Sequence, residues 1–260
     1  MSASAAPAGW PDGVGRVILD EAPSTMAEAA ARAGEAPGPL WIMARRQTAG
    51  RGRRGRAWAD PPGNLAATLL TPAPETERAA LMSFVAALAL FDACAEVTGR
   101  PEAFALKWPN DVLLHGGKLA GILLETVAPA HLAIGIGVNL RHAPEPATLD
   151  PGAVAPVSLA EGLGAEVGPE AFLTPLARAF EARARSFATY GFAPIRTAWL
   201  DRAARKGETV TARTGSHEVT GRFETLDDAG RLILATPAGR QAIAAAEVFF
   251  AGGEAHAARG

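Results

Sequence analysis

Short apolar runs bounded by Gly, Pro, Asp or Ser alternate along this chain with longer stretches in which apolar residues recur at helical spacing. Residues 14–19 read as a strand, and Ser24 is suited to cap a helix over 25–33 that Gly34 stops. Residues 40–44 and 64–70 read as further strands. Residues 75–99 read as one long helix, apolar around much of its circumference and therefore largely buried, with Gly99 as its stop. Segments 104–106, 112–114, 118–126 and 131–138 then follow one another through tight turns at 115–117 and 129–130. That spacing predicts an antiparallel meander and not a βαβ repeat. A Pro-rich loop at 144–156 precedes helices over 169–190 and 195–204. After residue 207 the rhythm changes to short β-type segments at 209–212, 218–225, 232–235 and 240–244, which suits a small, separate β-barrel. The pattern divides the chain into a disordered tail (1–13), an α+β domain (14–204) and a small all-β domain (205–252).

Composition narrows the function classes. The 260 residues carry 25 basic and 27 acidic side chains, a formal net charge of -2 that argues against a protein coating DNA. Positive charge is instead local, and a small anionic ligand fits it better. Cys94 is the one cysteine, so an internal disulfide and a Cys-based zinc site are both excluded, and a cytoplasmic setting is expected. No run reaches the length of a membrane span: the nearest, 79–95, is short and carries Asp92.

The local charge lies in residues 45–58, which hold six arginines and three glycines and end on Trp58. Arginine forks suit phosphate or carboxylate, and glycines free the backbone, so the segment reads as a loop that orders around an anion. A nucleotide, a nucleic acid or solvent alone would each fit such a loop. Gly50–Gly55 has Walker spacing, but Arg56 and Ala57 stand where that motif needs Lys and Ser/Thr. Gly135-Ile136-Gly137-Val138-Asn139 lacks the third glycine of a dinucleotide fingerprint. Only three of the basic residues are lysines, and two of them, Lys107 and Lys118, flank a hairpin with Asn110 and Asp111. Across that hairpin Asp111 and Lys118 lie close together, a pairing able to hold magnesium beside an anionic substrate, while Gly121 permits close ligand approach. Ser24 and Thr25 fit helix capping alone; the alternative is that they also hold a ligand's polar head at the helix N-terminus. The five histidines show no metal-ligand spacing, and no Gly-x-Ser-x-Gly elbow occurs.

Ser24-Thr25, Gln47 with Gly50-Arg51-Gly52-Arg53-Arg54-Gly55-Arg56 and Trp58, Lys107-Trp108-Pro109-Asn110-Asp111, Lys118-Leu119-Ala120-Gly121 and Gly135–Asn139 together resemble, in order and spacing, the biotin–protein ligase family. The resemblance covers about residues 14–200, and the trailing β segment is similar to that family's SH3-like C-terminal domain. It implies an α+β fold with a mixed, mostly antiparallel sheet, akin to class II aminoacyl-tRNA synthetases and lipoate ligases. It implies formation of biotinyl-5′-AMP from biotin and ATP with Mg2+, then transfer of biotin to a lysine of a biotin carboxyl carrier domain. It further implies that Ser24, Thr25, Gln47, Arg51, Gly52, Arg53, Lys118 and Gly121 bind biotin, and that Arg53, Arg54, Trp58, Asn110 and Asn139 bind the nucleotide. The catalytic roles fall to Lys118, Asp111 and Arg51, with Asp111 orienting the metal or the incoming lysine. Met26 stands where the family often has Asn. Family members with a helix-turn-helix domain also bind DNA; the 13 residues before the first strand are too few for one, so no DNA binding is expected. Monomers and sheet-edge homodimers both occur in the family. A lipoate or octanoate ligase on the same fold is the nearest rival, and a nucleic-acid-binding protein the more distant one.

Overall fold

The computed structural model describes residues 7–128, 130–145, 154–214, 217–244 and 246–250, apart from the side chains of Arg54 and Thr76. The first segment alternates β1 (Gly15–Leu19), α1 (Thr25–Arg32), β2 (Leu40–Ala44) and β3 (Leu65–Pro72). Two helices, α2 (Thr76–Ala79) and α3 (Met82–Thr98), separate these from the meander β4 (Phe104–Lys107), β5 (Asp111–Leu114), β6 (Gly117–Ala128) and β7 (His131–Val138). Helices α4 (Leu159–Leu163), α5 (Pro169–Tyr190) and α6 (Phe192–Leu200) complete the larger part. The seven strands form one sheet in the order β1-β2-β3-β7-β6-β5-β4. β1 runs parallel to β2, and every other pairing is antiparallel.

Alternation along the strands gives this sheet two faces. Trp41, Met43, Leu69, Ile134 and Ile136 point to the face covered by α3 and α5, where the main core lies. Ile42, Leu70 and Ala133 point to the other face, under Met26 and Ala29 of α1 and Ala33 at its C-terminal cap. Ser24 caps α1 by accepting from Ala27 N at 3.2 Å, and Gly99 ends α3 with φ at 66°, a left-handed conformation that glycine adopts without strain.

The single helix expected over 75–99 is broken at Ala80–Leu81 into α2 and α3. Residues 77–98 are long and apolar enough, by length and composition, to cross a membrane, contrary to the expectation that no run is. Of the span's apolar window 67% is buried inside the protein, and Asp92 accepts both Arg183 Nε (2.7 Å) and an Arg183 terminal nitrogen (3.0 Å), so the span serves as a core helix.

Strands β8 (Thr209–Thr214), β9 (His217–Leu226), β10 (Leu232–Thr236), β11 (Gly239–Ile243) and β12 (Glu247–Phe250) form a second, antiparallel sheet in the order β11-β10-β9-β8-β12. It is not separate in packing. Val210, Phe223 and Leu234 belong to the same continuous core as Phe84 and Trp199, and Trp108 Nε1 donates to Gly230 O at 3.1 Å across the junction. The tail expected over 1–13 also needs correction. Residues 1–6 lie outside the described residues, but Trp10 is buried against the main core and donates to Val14 O at 2.7 Å.

Candidate active site

The face carrying α1 holds a cavity of about 560 Å3. Its floor follows from strand register. Ala44, Ala66, Gly137, Gly121, Asp111 and Lys107 are successive cross-strand partners, one row running across β2, β3, β7, β6, β5 and β4. Four positions without bulk leave open space above the sheet, and the row ends on a carboxylate and an ammonium. The neighbouring row, Ile42, Thr68, Gly135 and Leu123, runs toward α1.

Two glycines of the floor are filled by the protein itself. A Cβ added at Gly137 would stand 2.3 Å from Trp58 Cε2, and one at Gly121 would stand 3.1 Å from Trp58 Cζ3. The close approach that Gly121 permits is thus made here by the Trp58 ring. In the next row, Gly135 receives Met26, whose Sδ would lie 2.8 Å from an added Cβ.

The Arg/Gly segment is a closed lap and not an open loop. Gly52 N donates to Arg56 O (2.8 Å), Trp58 N to Gly50 O (2.9 Å), and residues 53–55 make a single 3-10 turn. Its neck is tied by Gln47 N, which donates to Asp60 Oδ2 at 3.2 Å. Burial pushes the Asp60 carboxyl up from 3.8 to about 6, opposed in part by that bond and by one from the Gln47 side chain. Arg56 is paired with Glu247 through two contacts of 3.1 Å, so the lap is joined to β12.

At one side of the cavity, Thr25 N donates to Gln47 Oε1 at 2.9 Å, and Thr25 Oγ1 lies 3.3 Å from the same oxygen. Beneath them Thr68 Oγ1 lies 2.8 Å from Thr25 Oγ1. At the other side Lys118 Nζ is 2.8 Å and Lys107 Nζ 3.8 Å from the oxygens of Asp111. Burial pulls the Lys107 ammonium down, and Asp111 opposes this. Asn110 Oδ1 accepts from Arg53 at 3.2 Å while its amide donates to Ile122 O at 2.6 Å, so it holds that arginine against the sheet.

Lys118 shares the face of Asp111 because β6 is bulged. Val112 pairs with Ala120 but Leu113 pairs with Lys118, leaving Leu119 as the extra residue. Without that insertion strict alternation would turn Lys118 to the opposite face. The segment 155–157 braces the bulge: Lys118 N donates to Ala155 O (2.7 Å) and Val157 N to Lys118 O (3.0 Å). Asn139 donates to the carbonyls of Lys118 and Val157, while its own buried Oδ1 meets no hydrogen-bond partner among the described residues.

All the expected site residues except Arg54 line this cavity: Ser24, Thr25, Gln47, Arg51, Gly52, Arg53, Trp58, Asn110, Asp111, Lys118, Gly121 and Asn139. The side chain of Arg54 lies outside the described residues. Sequence reasoning missed Thr68, Asp60 and the β12 residues Glu247, Val248 and Phe249. A lone Thr inside an apolar strand was the available signal for the first. The expectation that Asp111 orients magnesium fits this geometry poorly. Its nearest charged neighbours are two ammonium groups, and the described residues contain no group of three or more His, Cys, Asp or Glu able to hold a metal.

Residues 14–139 match the Biotin/lipoate A/B protein ligase family, and residues 207–251 match the Biotin protein ligase C terminal domain. The Biotin--[acetyl-CoA-carboxylase] ligase of Paracoccus denitrificans is 54% identical over 90% of this chain and 100% of its own length. The chain belongs to the biotin protein ligase family. The ligase of the same name from Mycobacterium tuberculosis is 34% identical, covering 84% of this chain and 82% of its own. In structure, the biotin protein ligase of Aquifex aeolicus in complex with biotin and ATP superposes with a TM-score of 0.80 at 26% identity, covering 90% of this chain and 97% of the other. The α+β architecture read from the sequence, with its mostly antiparallel sheet and small C-terminal β domain, is that of the family.

Proposed function

We propose that this protein is an ATP-dependent biotin–protein ligase that forms biotinyl-5′-AMP and passes biotin to a lysine of a biotin carboxyl carrier domain. The observation that carries the reading is one cavity lined both by neutral hydrogen-bonding groups (Ser24, Thr25, Gln47) and by cations (Arg51, Arg53, Lys107, Lys118). The first set suits an uncharged polar ring, the second a carboxylate meeting a triphosphate.

In the first step a biotin carboxylate oxygen bonds to the α-phosphorus, and the bond to the β-phosphate oxygen breaks, releasing pyrophosphate. Lys118 stabilises charge on the α-phosphoryl oxygens, and Arg53, held by Asn110, stabilises the departing phosphates. In the second step the carrier lysine's neutral amine attacks the anhydride carbonyl and AMP leaves. Asp111, beside Lys118 and Lys107, is a carboxylate of the site able to take the proton that the amine loses. Mg2+ enters this reading with ATP and not on a site the protein builds, and no step is drawn through it. The acidic balance of 27 carboxylates to 25 cations supports a reading without DNA, and the burial of 77–98 one without a membrane. The free, buried Cys94 suits a cytoplasmic setting.

The test is biotin-dependent ATP–pyrophosphate exchange, followed by incorporation of biotin into a carrier domain, with lipoate as the competing acid. Exchange with biotin and not with lipoate is the expected result. Exchange with lipoate alone would transfer the protein to the lipoate branch, and exchange with neither would remove the ligase reading.

A further inference from the structure

Atom types settle the direction of the hydrogen bonds around Thr25. Its backbone N–H can only donate, and it does so to Gln47 at 2.9 Å, so the amide oxygen faces Thr25 and the amide nitrogen faces away. Thr25 Oγ1 lies 3.3 Å from the same oxygen, and a proton must stand between two such oxygens, so the Thr25 hydroxyl donates there. Its one proton is thereby used. Thr68 Oγ1, 2.8 Å below, is therefore the donor to Thr25 Oγ1.

Thr68 is fully buried, at 0% exposure, and among the described residues its hydroxyl meets Thr25. Its cross-strand neighbours are Ile42 and Gly135, and its row ends on Leu123. Valine would fill the same space without a polar atom to satisfy. A hydroxyl at this place is explained by the bond it makes.

We propose that Thr68 is a positioning residue for the biotin head group. By donating to Thr25 from beneath, it commits the Thr25 proton to Gln47. The compartment is left with one acceptor lone pair on Thr25, while the Gln47 amide nitrogen turns toward Gly50 and Asp60, and that lone pair suits a ring N–H. Thr68 does not line the cavity and acts through Thr25. The inference rests on the ligase reading.

The experiment compares Thr68→Val and Thr68→Ser in the full-length enzyme, measuring biotin KM, ATP KM and kcat of pyrophosphate exchange. Loss of one such hydrogen bond is expected to raise the biotin KM about tenfold in the valine variant. The ATP KM and kcat should stay within about twofold, and serine should restore the biotin KM. On a Thr25→Val background the Thr68→Val effect should vanish, because the acceptor is gone. An unchanged biotin KM in the valine variant, failure of serine to restore it, or the same effect on the Val background would each overturn the proposal. Should valine prevent folding, Thr68→Cys replaces it: a biotin KM raised by cysteine and not by serine supports the proposal, and equal values overturn it. Absence of biotin-dependent exchange in the unmodified enzyme would instead strike the ligase reading, which makes the two failures distinguishable.

Discussion

The two sides of the cavity solve the same problem with different physics. Around Thr25, Gln47 and Thr68 the groups are neutral, and each hydrogen bond between them has a fixed direction. Around Lys107, Asp111 and Lys118 the groups are charged, and two cations share one carboxylate. Directional bonds select a shape. Surplus charge in a partly dry site attracts an anion and stabilises charge that develops during reaction, whatever the detailed shape of the ligand. The contrast assigns binding selectivity to the α1 side and rate to the hairpin side.

Removing charge from the hairpin side should have the largest effect. Lys118→Ala is expected to lower kcat of adenylate formation by about 100- to 1,000-fold, the usual scale for losing one donor to a transition state, with a smaller change in biotin KM. Single-turnover formation of biotinyl-AMP measures it, and a loss confined to KM would abolish the division of labour between the two sides.

A smaller effect is expected where the sides meet. Gly137→Ala places a methyl where the Trp58 ring lies, at 2.3 Å from Cε2, so the ring and the lap must lift. Both the biotin and the ATP KM should rise, by about tenfold, and trypsin should cut the arginines of 45–58 faster. Wild-type kinetics in this variant would show that Trp58 is no wall of the site.

The smallest effect concerns the neck of the lap. Folded Asp60 keeps its proton up to about pH 6, whereas an ordinary carboxyl releases it near 3.8. Between these values the native state binds more protons than the unfolded chain, so this group lowers stability as pH rises, and the loss is complete above about 6. Asp60→Asn keeps an oxygen to accept from Gln47 N without the charge. Its Tm should exceed that of the wild type at pH 7.5, and the difference should close toward pH 4. A difference that grows toward low pH would refute the sign.

Much of this was legible in the linear chain because it rests on local rules. Helix α5 and strands β2 and β7 begin and end where turn residues and apolar spacing place them, at Pro169–Tyr190, Leu40–Ala44 and His131–Val138. The site motifs were legible because they concentrate rare chemistry: two of three lysines, six arginines in 14 residues, and paired glycines. Strand β12 was not, because Glu247–Phe250 is only four residues long and is fixed as a strand by its partner β8.

The order of elements, the broad apolar helix and the chemical identity of the site were thus determined by sequence alone. Tertiary structure decided which side chains share a face. Alternation along β6 would set Lys118 away from Asp111, and a bulge held by residues 155–157 reverses that. A bulge is a long-range agreement between three segments, and no single segment's pattern contains it. The same holds for Thr68, which reads as one polar residue in an apolar strand until α1 is laid across the sheet and its hydroxyl meets Thr25.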